Sequence, residues 1–83
     1  MIELNLSHNR FTDIPNAVYG FTSLKKLNLS NNLLSNLTVH ISELVNLVEL
    51  DLWNNSLTEV PFILFNLKNL KKVDLSNNQI MRI

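Results

Sequence analysis

The fold class this sequence predicts is an α/β solenoid: right-handed coils stacked in one row, a parallel sheet lining the concave side, and short helical or 3₁₀ returns on the convex side. Three observations predict it. One pattern of residues returns at an unbroken interval of 23, opened by Met1, Leu24, Leu47 and Leu70 and punctuated by Asn9, Asn32, Asn55 and Asn78. Early in each copy apolar and polar side chains alternate, which is the period of a strand with one buried face. Later in each copy apolar residues recur every third position, which suits a short helix or 3₁₀ turn. A fixed interval of this size marks a stacked array in which every unit buries its apolar side against its neighbours. The chain therefore reads as one domain, 1–83, with repeats 1–23, 24–46 and 47–69 and a partial repeat 70–83.

The strands are expected at Glu3 to Ser7, Lys26 to Ser30, Glu49 to Trp53 and Lys72 to Ser76, paired in parallel from coil to coil. The asparagines Asn9, Asn32, Asn55 and Asn78 follow the strands and turn inward, where an amide persists only if its hydrogen bonds are met. Backbone groups of the adjoining coil are the expected partners, giving a structural row that ties the turns together. The returns follow as Pro15-x-x-Val18-x-x-Phe21, Ile41-x-x-Leu44 and Pro61-x-x-Leu64-x-x-Leu67, with proline at the start, where its fixed φ and missing donor are tolerated. Strands lie about 4.8 Å apart and helical returns need roughly twice that, so the stack must curve with the sheet inside.

Leu24-x-x-Leu27-x-Leu29-x-x-Asn32-x-Leu34 recurs as Leu47, Leu50, Leu52, Asn55, Leu57, as Leu70, Val73, Leu75, Asn78, Ile80, and first as Met1, Leu4, Leu6, Asn9, Phe11. This resembles the leucine-rich repeat family, whose pattern is L-x-x-L-x-L-x-x-N-x-L, from the first residue to the last. The phrases Ile14-Pro15-x-x-Val18-x-x-Phe21 and Val60-Pro61-x-x-Leu64-x-x-Leu67 are similar to the Ras-suppressor-type intracellular class, from which the second copy departs with Thr38 in place of proline. The resemblance implies a non-catalytic protein-recognition module, a signalling scaffold, acting at a small GTPase.

Composition narrows the function classes. Seven basic and seven acidic residues cancel, so no long-range field draws the chain to nucleic acid or to an anionic membrane. No apolar run is long enough to span a bilayer, and Met1 already stands in repeat register, which leaves no room for a targeting segment. Cysteine is absent, which removes disulfides and thiolate chemistry and points to the cytoplasm. The single glycine, Gly20, offers no phosphate-binding loop. His8 and His40 fall at different points of the repeat, so no metal or catalytic pair is expected. No serine has a histidine and carboxylate placed to activate it, and Asp51 and Asp74 share an open sheet that gives neither a reason to hold its proton. The expectation is no enzyme, no metal and no cofactor.

Function should then lie on the outward rows of the sheet. The first row is Glu3, Lys26, Glu49, Lys72, whose alternating sign makes each neighbour an attractive cross-strand pair; it either satisfies itself or forms a specificity rim. The next rows are Asn5, Asn28, Asp51, Asp74, then Ser7, Ser30, Trp53, Ser76, then His8, Asn31, Asn54, Asn77. Trp53 breaks its row of serines, and tryptophan is a common interface anchor; the alternative is that it shields a neighbouring strand. The expected partner-binding set is Trp53, Glu49, Asp51, Lys26 and Lys72, with Asp74 and Asn28. On the return side Phe62, Ile63 and Phe65 surround Leu64, and lateral contact between adjacent returns is the favoured account over a second interface.

Asn5, Asn28, Asn36 and Asn54 each open an N-x-Ser/Thr sequence, three of them products of the repeat grammar. The chain starts on a core position and stops at another, Ile83, so both end layers are expected to face water, as in a window cut from a longer array or in ends that stack on further copies. Rival readings are the targeting part of a larger enzyme (a kinase, a ubiquitin ligase or a cyclase) or a segment of an extracellular receptor.

Overall fold

The computed structural model describes residues 1–81, so the core position expected at Ile83 lies outside the described residues. Four parallel strands, β1 (Glu3–Asn5), β2 (Lys26–Asn28), β3 (Glu49–Asp51) and β4 (Lys72–Asp74), form one sheet in chain order. Their register is set by the repeat: Leu4 stands beside Leu27, Leu27 beside Leu50, and Leu50 beside Val73. Between strands run three 3₁₀ helices, Asn16–Gly20, Val39–Glu43 and Phe62–Asn66.

The strands are shorter than the alternation predicts, and the reason is local. In every coil the residue that ends the strand accepts, through its side-chain Oδ1, the backbone N–H two residues on: Asn5 from Ser7, Asn28 from Ser30, Asp51 from Trp53 and Asp74 from Ser76, each at 2.9 Å. This side-chain-closed turn bends the backbone out of the strand. The following residue, His8, Asn31, Asn54 or Asn77, then adopts a left-handed φ of 56–58°, a conformation that asparagine accepts more readily than most residues. Backbone bonding between coils nevertheless continues past the strands: Leu29 N–H donates to Asp51 O at 2.8 Å and Asn31 N–H to Trp53 O at 2.9 Å.

Each 3₁₀ helix opens on the carbonyl of the residue before it. Val18 N–H donates to Pro15 O and Leu64 N–H to Pro61 O, both at 3.0 Å, and Ile41 N–H donates to Thr38 O at 3.3 Å. Thr38 thus forms the same turn without proline, because the carbonyl and not the ring makes the bond. Each helix buries one central residue, Val18, Ile41 or Leu64.

The second and third coils supply the fully buried layer: Leu24, Leu29, Leu34, Ile41, Leu44, Leu47 and Leu52 expose nothing. In the first and fourth coils the same repeat positions are partly open, with Met1 and Val73 exposed and Leu4, Leu6, Leu70 and Leu75 half-buried. A coil flanked on both sides loses its whole apolar surface to water-free contact, and one flanked on one side loses about half.

Candidate recognition surface on the sheet

The outward side chains of the four strands line a hollow of about 860 Å³ over the sheet, among them Lys26, Asn28, Glu49, Asp51, Lys72 and Asp74. These are six of the seven residues singled out from the sequence for partner contact. Trp53 stands at the rim, two residues beyond Asp51, and does not line the hollow. Its side chain is 37 % exposed, while Ser30, in the same row one coil earlier, is buried.

The charge row pairs differently from the simple alternation. Glu49 takes both lysines, Lys26 Nζ at 3.8 Å and Lys72 Nζ at 3.6 Å, and Glu3 has no ion pair among the described residues. Lys26 has one ammonium between two carboxylates and spends it on the inner one. Both lysine side chains are more than half exposed, so each pair contributes at most about 0.5–1 kcal/mol.

In the second row Asp51 and Asp74 are register partners on adjacent strands. Neither has a basic group within ion-pair distance among the described residues. The Ser76 hydroxyl, and after it the Ser76 backbone N–H, bond the Asp74 carboxylate and hold its pKa below the ordinary value. Asp74 is therefore charged throughout the neutral range.

The inward asparagines behave unequally. Asn55 Nδ2 donates to Leu52 O and, across to the preceding coil, to Leu29 O, while its Oδ1 accepts Leu34 N–H at 3.0 Å. Asn32 does the same with Leu6 O and Phe11 N–H, and Asn78 with Leu52 O and Leu57 N–H. Asn9 bonds only its own turn, at Leu6 O and Ser7 O. The row His8, Asn31, Asn54, Asn77 turns out to be the set of left-handed turn residues described above, and its first three side chains bridge coils, with Asn31 meeting His8 and Asn54 Nδ2 donating to Asn31 Oδ1 at 2.7 Å.

A second set of asparagines went unread in the sequence. Asn46 Nδ2 donates to Thr22 O at 2.8 Å and Asn69 Nδ2 to Val45 O at 2.9 Å, stitching the returns together on the far side of the coil. The signal was available: both sit one residue before the leucine that opens a repeat.

Lateral contact between returns does not cover the phenylalanines. Phe62 is 57 % and Phe65 75 % exposed, and their rings lie 5.7 Å apart against each other. A 3₁₀ helix brings residues three apart onto one face, so with Leu64 turned to the core both rings point outward, and only Ile63 is half-buried. His40 pairs with Glu43 at 3.1 Å and its ring lies tilted by 45° to that of Tyr19, centroids 5.7 Å apart, while His8 meets Asn31. Among the described residues no group of three or more potential ligands is placed to hold a metal ion, and no helix is long and apolar enough to cross a membrane.

Residues 1–42 and 45–83 match the family description "Leucine Rich repeats (2 copies)". The chain belongs to the leucine-rich repeat family. A solved leucine-rich repeat protein of Leptospira interrogans superposes with a TM-score of 0.77 at 38 % identity, over 94 % of this chain and 20 % of that one. Human oligodendrocyte-myelin glycoprotein is 46 % identical over 41 residues, 49 % of this chain and 9 % of its own length. Ras guanine nucleotide exchange factor V of Dictyostelium discoideum is 46 % identical over 39 residues, 47 % of this chain and 2 % of its own length. The chain thus spans a small part of each relative. Leucine-rich repeats generally serve protein–protein interaction and are typically non-catalytic, and nothing in these matches distinguishes the Ras-suppressor-type class from others.

Proposed function

We propose that this chain is a non-catalytic recognition module that holds a protein partner over its sheet face, with Trp53 as anchor and with Lys26, Glu49, Asp51, Lys72, Asp74 and Asn28 orienting the partner. The observation that carries the reading is Trp53: an exposed indole beside a hollow, at a position filled by serine in the other three coils. The coil does not require tryptophan there, whereas a buried indole is among the strongest contributors to an interface. The charged rows contribute little to folding and much to orientation.

The matches support a role as the recognition segment of a longer protein, since similar repeats occupy small shares of larger relatives, one of them named as a Ras guanine nucleotide exchange factor. Signalling scaffolding is the corresponding finer reading, resting on analogy of fold. The test is affinity capture from cell extract with the wild-type chain, Trp53→Ala and Phe65→Ala, read by quantitative mass spectrometry. Partners should be lost with Trp53→Ala and kept with Phe65→Ala. Equal recovery with all three removes the sheet face as the binding surface.

A further inference from the structure

The third and fourth coils depart from the first two in a way the fold does not need. Asn5 and Asn28 close their turns through Oδ1, and Asp51 and Asp74 close theirs through the same atom at the same 2.9 Å. Aspartate therefore closes the same turn that asparagine closes in the first two coils, and adds a charge to the face. The two charges stand directly opposite each other across β3 and β4, an arrangement that destabilises a sheet, and the lysines nearby are engaged by Glu49 instead. Trp53, exposed and two residues past Asp51 at the end of β3, has its backbone N–H 2.9 Å from the Asp51 carboxylate and completes this part of the face.

We propose that the partner presents an arginine side chain to the sheet face, its guanidinium bridging Asp51 and Asp74 and lying against the indole of Trp53. The inference rests on the sheet face being the recognition surface and names the chemistry it selects. Strands about 4.8 Å apart put the two carboxylates within the span of one guanidinium, and the turn closed by Trp53 N–H on Asp51 Oδ1 at 2.9 Å holds Trp53 next to the same carboxylate. Arginine fits better than lysine because it donates to two carboxylates at once and stacks on an aromatic face, whereas an ammonium is a point charge. The row beside it, Glu3, Lys26, Glu49 and Lys72, is neutral as a whole, so the negative character is confined to one spot and not spread over the face.

Trp53 is the only tryptophan in the chain, so its fluorescence reports the site without a label. Acetyl-(Gly-Arg)4-amide is titrated into the 83-residue protein at low salt, alongside the peptides with citrulline, lysine or glutamate in place of arginine. The arginine peptide should shift Trp53 emission with a Kd at least tenfold below that of the citrulline peptide and several-fold below that of the lysine peptide. The double variant Asp51→Asn/Asp74→Asn, which keeps both turns in the form used by Asn5 and Asn28, should raise that Kd tenfold or more with an unchanged circular dichroism spectrum. Equal binding of arginine and citrulline peptides, a preference for glutamate, no binding of any peptide, or full binding by the double variant overturns the assignment. The sheet-face reading is judged separately: dependence of partner capture on Trp53, without any preference for arginine, leaves that reading standing and removes only this one.

Discussion

The inward asparagine row and the outward charge row run side by side across the same four coils, and they obey opposite rules. The asparagine row keeps one residue type in every coil: Asn32 and Asn55 are buried and each amide serves two coils at once, while Asn9, at the outer end, is exposed and bonds only its own turn. The charge row changes sign at every step and pairs unevenly, with Glu49 taking two lysines and Glu3 none among the described residues. A buried polar group without partners costs far more than an exposed charge without one. Invariance in this chain therefore marks shape, and variation marks the places free to carry recognition.

The largest effect that could break this contrast is Asn55→Ala. It strands Leu34 N–H in the interior and takes one of two amide donors from Leu29 O and from Leu52 O, which keep Asn32 and Asn78; this should cost about 2 kcal/mol, a fall in Tm on the order of 10 °C for a chain of this size. A thermal melt within 2–3 °C of wild type, taken roughly on the same scale, would contradict it. Asn46→Ala removes a single exposed bond to Thr22 O and should cost about 0.5–1 kcal/mol by urea titration; a loss equal to that of Asn55→Ala would show that burial is not what separates the rows.

Glu49→Gln removes both ion pairs at once and should change stability by no more than about 1 kcal/mol, with the difference from wild type vanishing near 1 M salt. The smallest effect concerns Asp74. Its folded pKa lies below the ordinary carboxylate value because Ser76 bonds the ionised form. Its contribution to stability is thus fully present above the ordinary carboxylate range and is lost as pH falls through the depressed value. Carboxyl-carbon NMR titration of Asp74 in wild type and Ser76→Ala should show the midpoint rising toward the ordinary value in the variant; an unchanged midpoint would dismiss Ser76 as the cause.

How much was legible in the sequence follows from the same contrast. The strand register, the buried leucines and the three returns can be read from the interval alone, since burial forces the same residue types at Leu27 and Leu50 and at Val18, Ile41 and Leu64. The hollow and six of its charged or polar lining residues follow from outward alternation. The strand ends were not legible by alternation, because a side-chain-closed turn at Asn5 and its equivalents and a left-handed φ at His8, Asn31, Asn54 and Asn77 interrupt it. The Asn-Asn pairs at 31–32, 54–55 and 77–78 carried that signal. Which carboxylate Lys26 selects depends on rotamers, and the outward turn of Phe62 and Phe65 depends on three-residue helical phase; neither is written in composition.

Every pair of elements in contact comes from successive coils: strand on next strand, 3₁₀ helix on next 3₁₀ helix. Loop closure thus never spans much more than one repeat, however many repeats are joined, so assembly can begin in the doubly flanked second and third coils and spread outward without slowing as units are added. Amide exchange should accordingly open from the outer coils toward Leu29 and Leu52. Insertion of one further 23-residue unit would extend the ladder instead of disrupting it, a tolerance by which such a molecule can lengthen through duplication while its existing surface stays intact.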